Sequence, residues 1–165
     1  MTRWIATIAA VTALAAASSA LAQATPAPAA APTVPDRNFG EWRLRCEKDA
    51  CALIQAVTDD AHAEIGVTVA ALKIDGAPIL RIIAPLGVFL PAGVGLKIDQ
   101  TDMGSVGFLR CTAEGCFAEA ELAPEQVASF STGQTATFNL MQNPTQGVAV
   151  PVSLKGFKEG LAALH

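Results

Sequence analysis

The residues in this chain that could do chemistry are few: four cysteines, two histidines and no tyrosine. Cys46 and Cys51 enclose the short stretch Glu47-Lys48-Asp49-Ala50, and Cys111 and Cys116 enclose Thr112-Ala113-Glu114-Gly115. An even number of cysteines in an exported chain reads first as disulfides, and three pairings are conceivable. The flanking residues choose among them. Trp42, Leu44 and Cys46 alternate with Glu41, Arg43 and Arg45, and Cys51 and Leu53 alternate with Ala52 and Ile54, so each cysteine sits on a strand. Pairing Cys46 with Cys51 sets Leu44 opposite Leu53 on the face of the sulfurs, a consistent hairpin register. Pairing Cys111 with Cys116 repeats this, with Leu109 against Ala118 on one face and Arg110 against Phe117 on the other. Two local bridges are predicted, and free thiols on the exported protein would overturn them.

Two sharper chemistries compete for the same sulfurs. A zinc site of four thiolates is disfavoured because structural zinc uses tighter spacings and an oxidising envelope oxidises thiolates first. Thiol exchange is disfavoured because neither pair is Cys-x-x-Cys, although Arg45, Lys48 and Arg110 lie near enough to depress a thiol pKa. Of the histidines, His165 is the final residue and His62 lies in the polar run Asp59-Asp60-Ala61-His62-Ala63-Glu64, where a solvated side chain is expected. No nucleophile elbow, phosphate-cradling glycine loop or zinc-protease motif occurs. The expectation is no catalytic residue, no metal and no cofactor.

The elements that must position these groups read as strands. Ile65, Val67 and Val69 alternate with Gly66, Thr68 and Ala70, and the apolar parity then moves to Leu72 and Ile74, which suggests a bulge near Ala70-Ala71. Asp75-Gly76-Ala77-Pro78 is a turn, and Ile79 to Ile83 returns with Arg81 as its single charge, so this hairpin is expected to be central and largely buried. Ala136, Phe138 and Leu140 alternate with threonine and asparagine. After the turn from Gln142 to Gly147, Val148, Val150, Val152 and Leu154 continue the pattern, with Pro151 marking an edge strand. Pro124 opens a short helix through Phe130, and Gly156 to Leu164 forms a terminal one with Phe157, Leu161 and Leu164 at helical spacing; neither is expected to organise a core. The fold class is all-β, an antiparallel β-sandwich or small barrel with one or two short peripheral helices.

The ends of the chain set its compartment. Of its 165 residues, 52% are hydrophobic and 16% charged, and the first 35 carry only Arg3. A positive start, the apolar run from Trp4 and the Ala20-Leu21-Ala22 site have the layout of a secretory signal peptide, 1–22, rather than a transmembrane anchor. Residues 23–35, rich in Pro and Ala, are a spacer that extends roughly 35 to 40 Å at about 3.1 Å per residue; an unselected tail is the competing reading. Residues 36–165 suffice for a single domain. Without Arg3 there are 10 basic against 15 acidic residues and no basic run, which excludes nucleic acid as a partner. The expected location is the periplasm, with secretion or outer-membrane association as further destinations. No lipobox-like cysteine adjoins the cleavage site.

One segment has no place in this scheme. Pro85 to Leu96 contains no charged or hydrogen-bonding side chain, with two prolines and three glycines, and is not an ordinary strand. Exposed, its Leu86, Val88, Phe89, Leu90 and Pro91 would dock a partner. Buried, it is a crossover or bent strand pair, and that reading is favoured because burying Leu86, Phe89 and Leu90 would add several kcal/mol.

Five stretches resemble the bacterial invasion-associated locus B family: Phe39-Gly40-Glu41-Trp42-Arg43; Ile79-Leu80-Arg81 leading into Pro85 to Gly93; Leu96-Lys97-Ile98-Asp99; the hairpin from Cys111 to Cys116; and Pro151-Val152-Ser153-Leu154-Lys155-Gly156-Phe157. The resemblance spans Phe39 to about Leu164. It implies an exported envelope protein without catalytic residues to carry over, and a role in host-cell invasion that the family name suggests. The leading expectation is therefore a protein-interaction module meeting an envelope or host protein through the apolar segment or a sheet edge. A periplasmic small-molecule or lipid binder, with Pro85 to Leu96 lining a cavity, is the alternative. The partner and the oligomeric state are not legible.

Overall fold

The computed structural model describes residues 36–48, 50–58 and 65–164; the expected signal peptide, the spacer, His62 and His165 lie outside them. Strands are numbered in chain order. One sheet has seven: β1 (Arg37–Phe39), β2 (Trp42–Glu47), β3 (Ala50–Thr58), β4 (Gly66–Ile74), β5 (Ala77–Ala84), β9 (Gly115–Glu121) and β8 (Phe108–Thr112), side by side in that order. The other has four: β11 (Gln146–Ser153), β10 (Thr135–Asn143), β6 (Val94–Ile98) and β7 (Thr101–Val106). Every pairing is antiparallel. Helix α1 spans Pro124–Thr132 and α2 spans Phe157–Ala162.

The period-2 pattern explains how the sheets pack. In β2, Trp42, Leu44 and Cys46 are buried while Arg43, Arg45 and Glu47 are exposed. The same inward set in β3 to β5, Leu53, Val67, Val69, Leu80 and Ile82, meets Val94, Phe138, Leu140, Val150 and Val152 of the smaller sheet in one continuous core. Each such side chain contributes roughly 1.5–3 kcal/mol by leaving water. The two sheets share no strand pairing, so the fold is an open sandwich and not a barrel. β11 is an edge strand, and its Pro151, which cannot donate to a ladder, faces outward. Asp75 and Gly76 both have positive φ (51° and 84°), as a two-residue hairpin turn matching strand twist requires.

Several expectations fail, each for a local reason. There is no bulge at Ala70-Ala71: β4 keeps an unbroken register with β3 and β5, and Leu72 and Ile74 lie on its outer face. Register shifts occur instead at Leu96/Lys97, at Met141/Asn143 and in β8, where Phe108 rather than the expected Leu109 pairs with Ala118 and Arg110 pairs with Phe117, leaving Leu109 out of the ladder and 67% exposed. β4 and β5 are central, but only their inner faces are fully buried. The turn between β10 and β11 narrows to Pro144-Thr145, since both strands run on to Asn143 and Gln146. The terminal helix does help organise the core, because Phe157 and Leu161 are buried in it.

Candidate functional site

Both cysteine pairs close hairpin ends. Cys46 and Cys51 are cross-strand partners joined at 2.05 Å, and Cys111 and Cys116 are joined at 2.03 Å, leaving no free cysteine among the described residues. The sulfurs are thus staples. Loops this short restrict the unfolded chain modestly, by about 2 kcal/mol per bridge. Reduction is expected to lower the urea midpoint by an amount equivalent to about 4 kcal/mol in total while the native far-ultraviolet dichroism persists below the new transition.

Two of the family-like stretches, far apart in sequence, meet in space. The indole N–H of Trp42 donates to the Ser153 carbonyl at 2.8 Å, and the Glu41 N–H donates to the Lys155 carbonyl at 3.1 Å. Phe157 then packs its ring 5.0 Å from that of Trp42, edge to face. The stretches from Phe39 and from Pro151 are therefore two halves of one clasp that ties β2 of the large sheet to β11 of the small one. Asp99 serves a similar purpose: its carboxylate accepts from the backbone N–H groups of Gln134 and Thr135 and so fixes the start of β10. Arg81 donates to Glu119 at 2.6 Å across β5 and β9. These residues hold the fold.

The segment from Pro85 differs. It carries the chain from β5 in the large sheet to β6 in the small one. Leu86 is 59% exposed and Leu90 45%, with Pro91 and Ala92 exposed beside them. Burial of the whole segment is thus not what occurs. Val88 packs against the core, Phe89 is half-buried, and from Val94 the chain is ordinary strand. The loop is held firmly: the Phe89 N–H donates to the Met141 carbonyl at 2.6 Å, and Leu90–Ala92 form one 3-10 turn closed by Gly93 N–H to Leu90. Leu86 and Leu90 stand out from this hydrogen-bonded backbone.

The cavities bear on the alternative. A narrow apolar slot opens between β7 and β9, with Val94, Leu96, Met103, Leu122 and Phe138 in its walls. Its volume is about 70 Å³, far below the roughly 300–1,000 Å³ of a small-molecule pocket. A broader, polar depression of about 680 Å³ lies over Asn38, Arg43, Arg45 and Ile54. Among the described residues no group of His, Cys, Asp or Glu could hold a metal ion, and no helix is long and apolar enough to cross a membrane.

Fold and surface together define a disulfide-stapled β-sandwich with a partly exposed apolar crossover between its two sheets. The chain belongs to the invasion associated locus B (IalB) family, whose model matches residues 42–165. It is 31% identical over 156 residues to invasion protein B homologues of Brucella abortus strains 2308 and biovar 1 strain 9-941, covering 88% of this chain and 87% of theirs. The crystal structure of invasion associated protein B from Bartonella henselae superposes with a TM-score of 0.68 at 20% identity, over 78% of this chain and 94% of that one. That last likeness concerns the fold.

Proposed function

We propose that the protein is an exported, non-enzymatic module of the bacterial envelope that docks a partner protein through Leu86, Leu90 and Pro91, with Val88 and Phe89 anchoring the loop beneath them. The observation that carries this is the pair of exposed leucines on a hydrogen-bonded crossover. An apolar side chain gains nothing from water, and one fixed in place loses little entropy when a partner covers it. Export is supported by the apolar start ending in Ala20-Leu21-Ala22 and by two disulfides, which persist in oxidising compartments. On this reading residues 1–22 are removed, 23–35 space the domain 36–165 from its surroundings, and the periplasm or cell surface is the site of action. The partner is an envelope or host protein, and a part in host-cell invasion follows from the names of the Brucella and Bartonella relatives.

Cross-linking of the exported protein in its own envelope, read by mass spectrometry, tests the docking. A Leu86→Asp/Leu90→Asp variant is expected to lose the specific cross-linked partner while its thermal unfolding stays within about 1 kcal/mol of the parent, since both side chains lie at the surface. Retention of the same partner at the same yield would remove the loop from the interface.

A further inference from the structure

The outer face of the seven-stranded sheet breaks the rule that an antiparallel sheet with one wet face alternates apolar inward and polar outward. β2 obeys it, but the outward positions of the middle strands include Ile54, Leu72, Ile79, Ile83 and Phe117, with Ala52 and Ala70 between them and Thr68 and Arg81 as the polar interruptions. Phe117 lies under the Arg110 guanidinium of β8 and Ala70 is buried, while Ile54, Leu72, Ile79 and Ile83 stay partly exposed with no described helix over them. α2 packs against the inner side, where Phe157 meets Trp42 and Gly160 lies against Leu53, and α1 reaches the same core through Phe130.

Charges frame this face in an ordered way. Along one cross-strand row lie Arg43, Ile54, Ala70, Arg81 and Glu119; along the next lie Arg45, Ala52, Leu72, Ile79 and Glu121. Each row is basic at β2 and acidic at β9. β4 is the middle strand of the seven, with β2 and β9 equally far from it on either side. Stack two copies face to face with a two-fold axis along β4, and β2 of each lies over β9 of the other. Arg45, which lies 3.7 Å from Asp36 of its own chain, then faces Glu121, Arg43 faces the Glu119 that Arg81 already orients, and Leu72 meets Leu72. A two-fold axis across the strands would instead set β2 on β2 and oppose like charges. The charge pattern admits the first arrangement and rejects the second.

We propose that this face is the interface of a two-fold homodimer whose axis runs along β4. Seven strands at about 4.8 Å spacing and about 3.3 Å per residue give a surface roughly 30 Å by 25 Å, of the order of the roughly 800 Å² each partner buries in a stable interface. Aligned stacking of twisted sheets is an ordinary packing mode. The proposal is independent of the docking loop, since neither Leu86 nor Leu90 belongs to these rows.

Sedimentation velocity and light scattering on the full exported chain test it. The parent is expected at twice the single-chain mass at tens of micromolar. Leu72→Asp puts two carboxylates on the axis and is expected to give a folded monomer by circular dichroism. Arg45→Glu and Glu121→Arg are each expected to weaken the dimer roughly tenfold or more, and their combination to restore it within about threefold. The charge exchange decides the matter even where Leu72→Asp fails to fold. A parent that is monomeric at tenths of millimolar, with the face left to another occupant, overturns the proposal. So does a double exchange no tighter than the single variants, or a dimer lost on Leu90→Asp and kept on Glu121→Arg.

Discussion

Phe157→Ala is expected to lower the unfolding free energy by roughly 3–5 kcal/mol, the range for truncating a fully buried aromatic side chain. Phe157 has no exposed surface and sits between Trp42, at 5.0 Å, and Phe130, at 5.1 Å, so rings from β2, α1 and α2 converge on one point. Aromatic pairs add about 0.5–1.5 kcal/mol each beyond the area they bury. This cluster seals the region where β2 is clasped to β11, and the cavity left by an alanine would lie beside the bond from the Trp42 indole to Ser153. Against a total stability of about 5–15 kcal/mol, the variant would be left marginal. Urea unfolding followed by tryptophan fluorescence checks this, with a lower midpoint at unchanged slope as the expected result. A midpoint equal to that of the parent would mean that α2 does not close the core.

The sequence disclosed what is local. The two disulfide pairings and the strands from Thr135 to Ser153 are readable because alternation and turn lie within one short window, whereas the pairing of Leu109 with Ala118 is not. The errors arose where apolar residues occupy outward positions. Leu72 and Ile74 look like a change of parity, but they continue an outer face that is itself apolar, so the strand runs straight on. In β8, Phe108 and Leu109 compete for one inward place; the bulge gives it to Phe108 and leaves Leu109 in water. Composition could not place the crossover either. It states that Leu86 and Leu90 are apolar, and only the three-dimensional arrangement tells whether another layer passes over them. Of the family-like stretches, the most informative feature was the least visible: the residues from Phe39 and those from Pro151 touch each other, and no local pattern encodes a contact across more than a hundred positions.

Gly156→Ala probes that contact directly. Gly156 has φ of +91°, and a Cβ there would run into the Phe39 carbonyl and the Gly40 N–H; a Cβ on Gly40 would meet the Lys155 carbonyl in turn. The two backbones approach so closely only because neither position has a side chain. An alanine at 156 carries the left-handed penalty of about 1–2 kcal/mol. It also forces the strands apart, which weakens the bonds from Glu41 to Lys155 and from Trp42 to Ser153 at about 1 kcal/mol each. The expected loss is roughly 3–4 kcal/mol, by urea unfolding. Gly76→Ala is the comparison, since Gly76 has a similar φ of +84° with nothing within 4 Å of an added Cβ; it should lose only the conformational share, about 1–2 kcal/mol. Equal losses at the two sites would show that conformation alone matters and that the clasp carries no weight. A larger loss at Gly156 explains why a glycine is needed before the terminal helix. It also separates roles: Gly156→Ala should reduce partner capture only in proportion to the unfolded fraction, whereas the Leu86 and Leu90 substitutions should abolish it in a protein that remains folded.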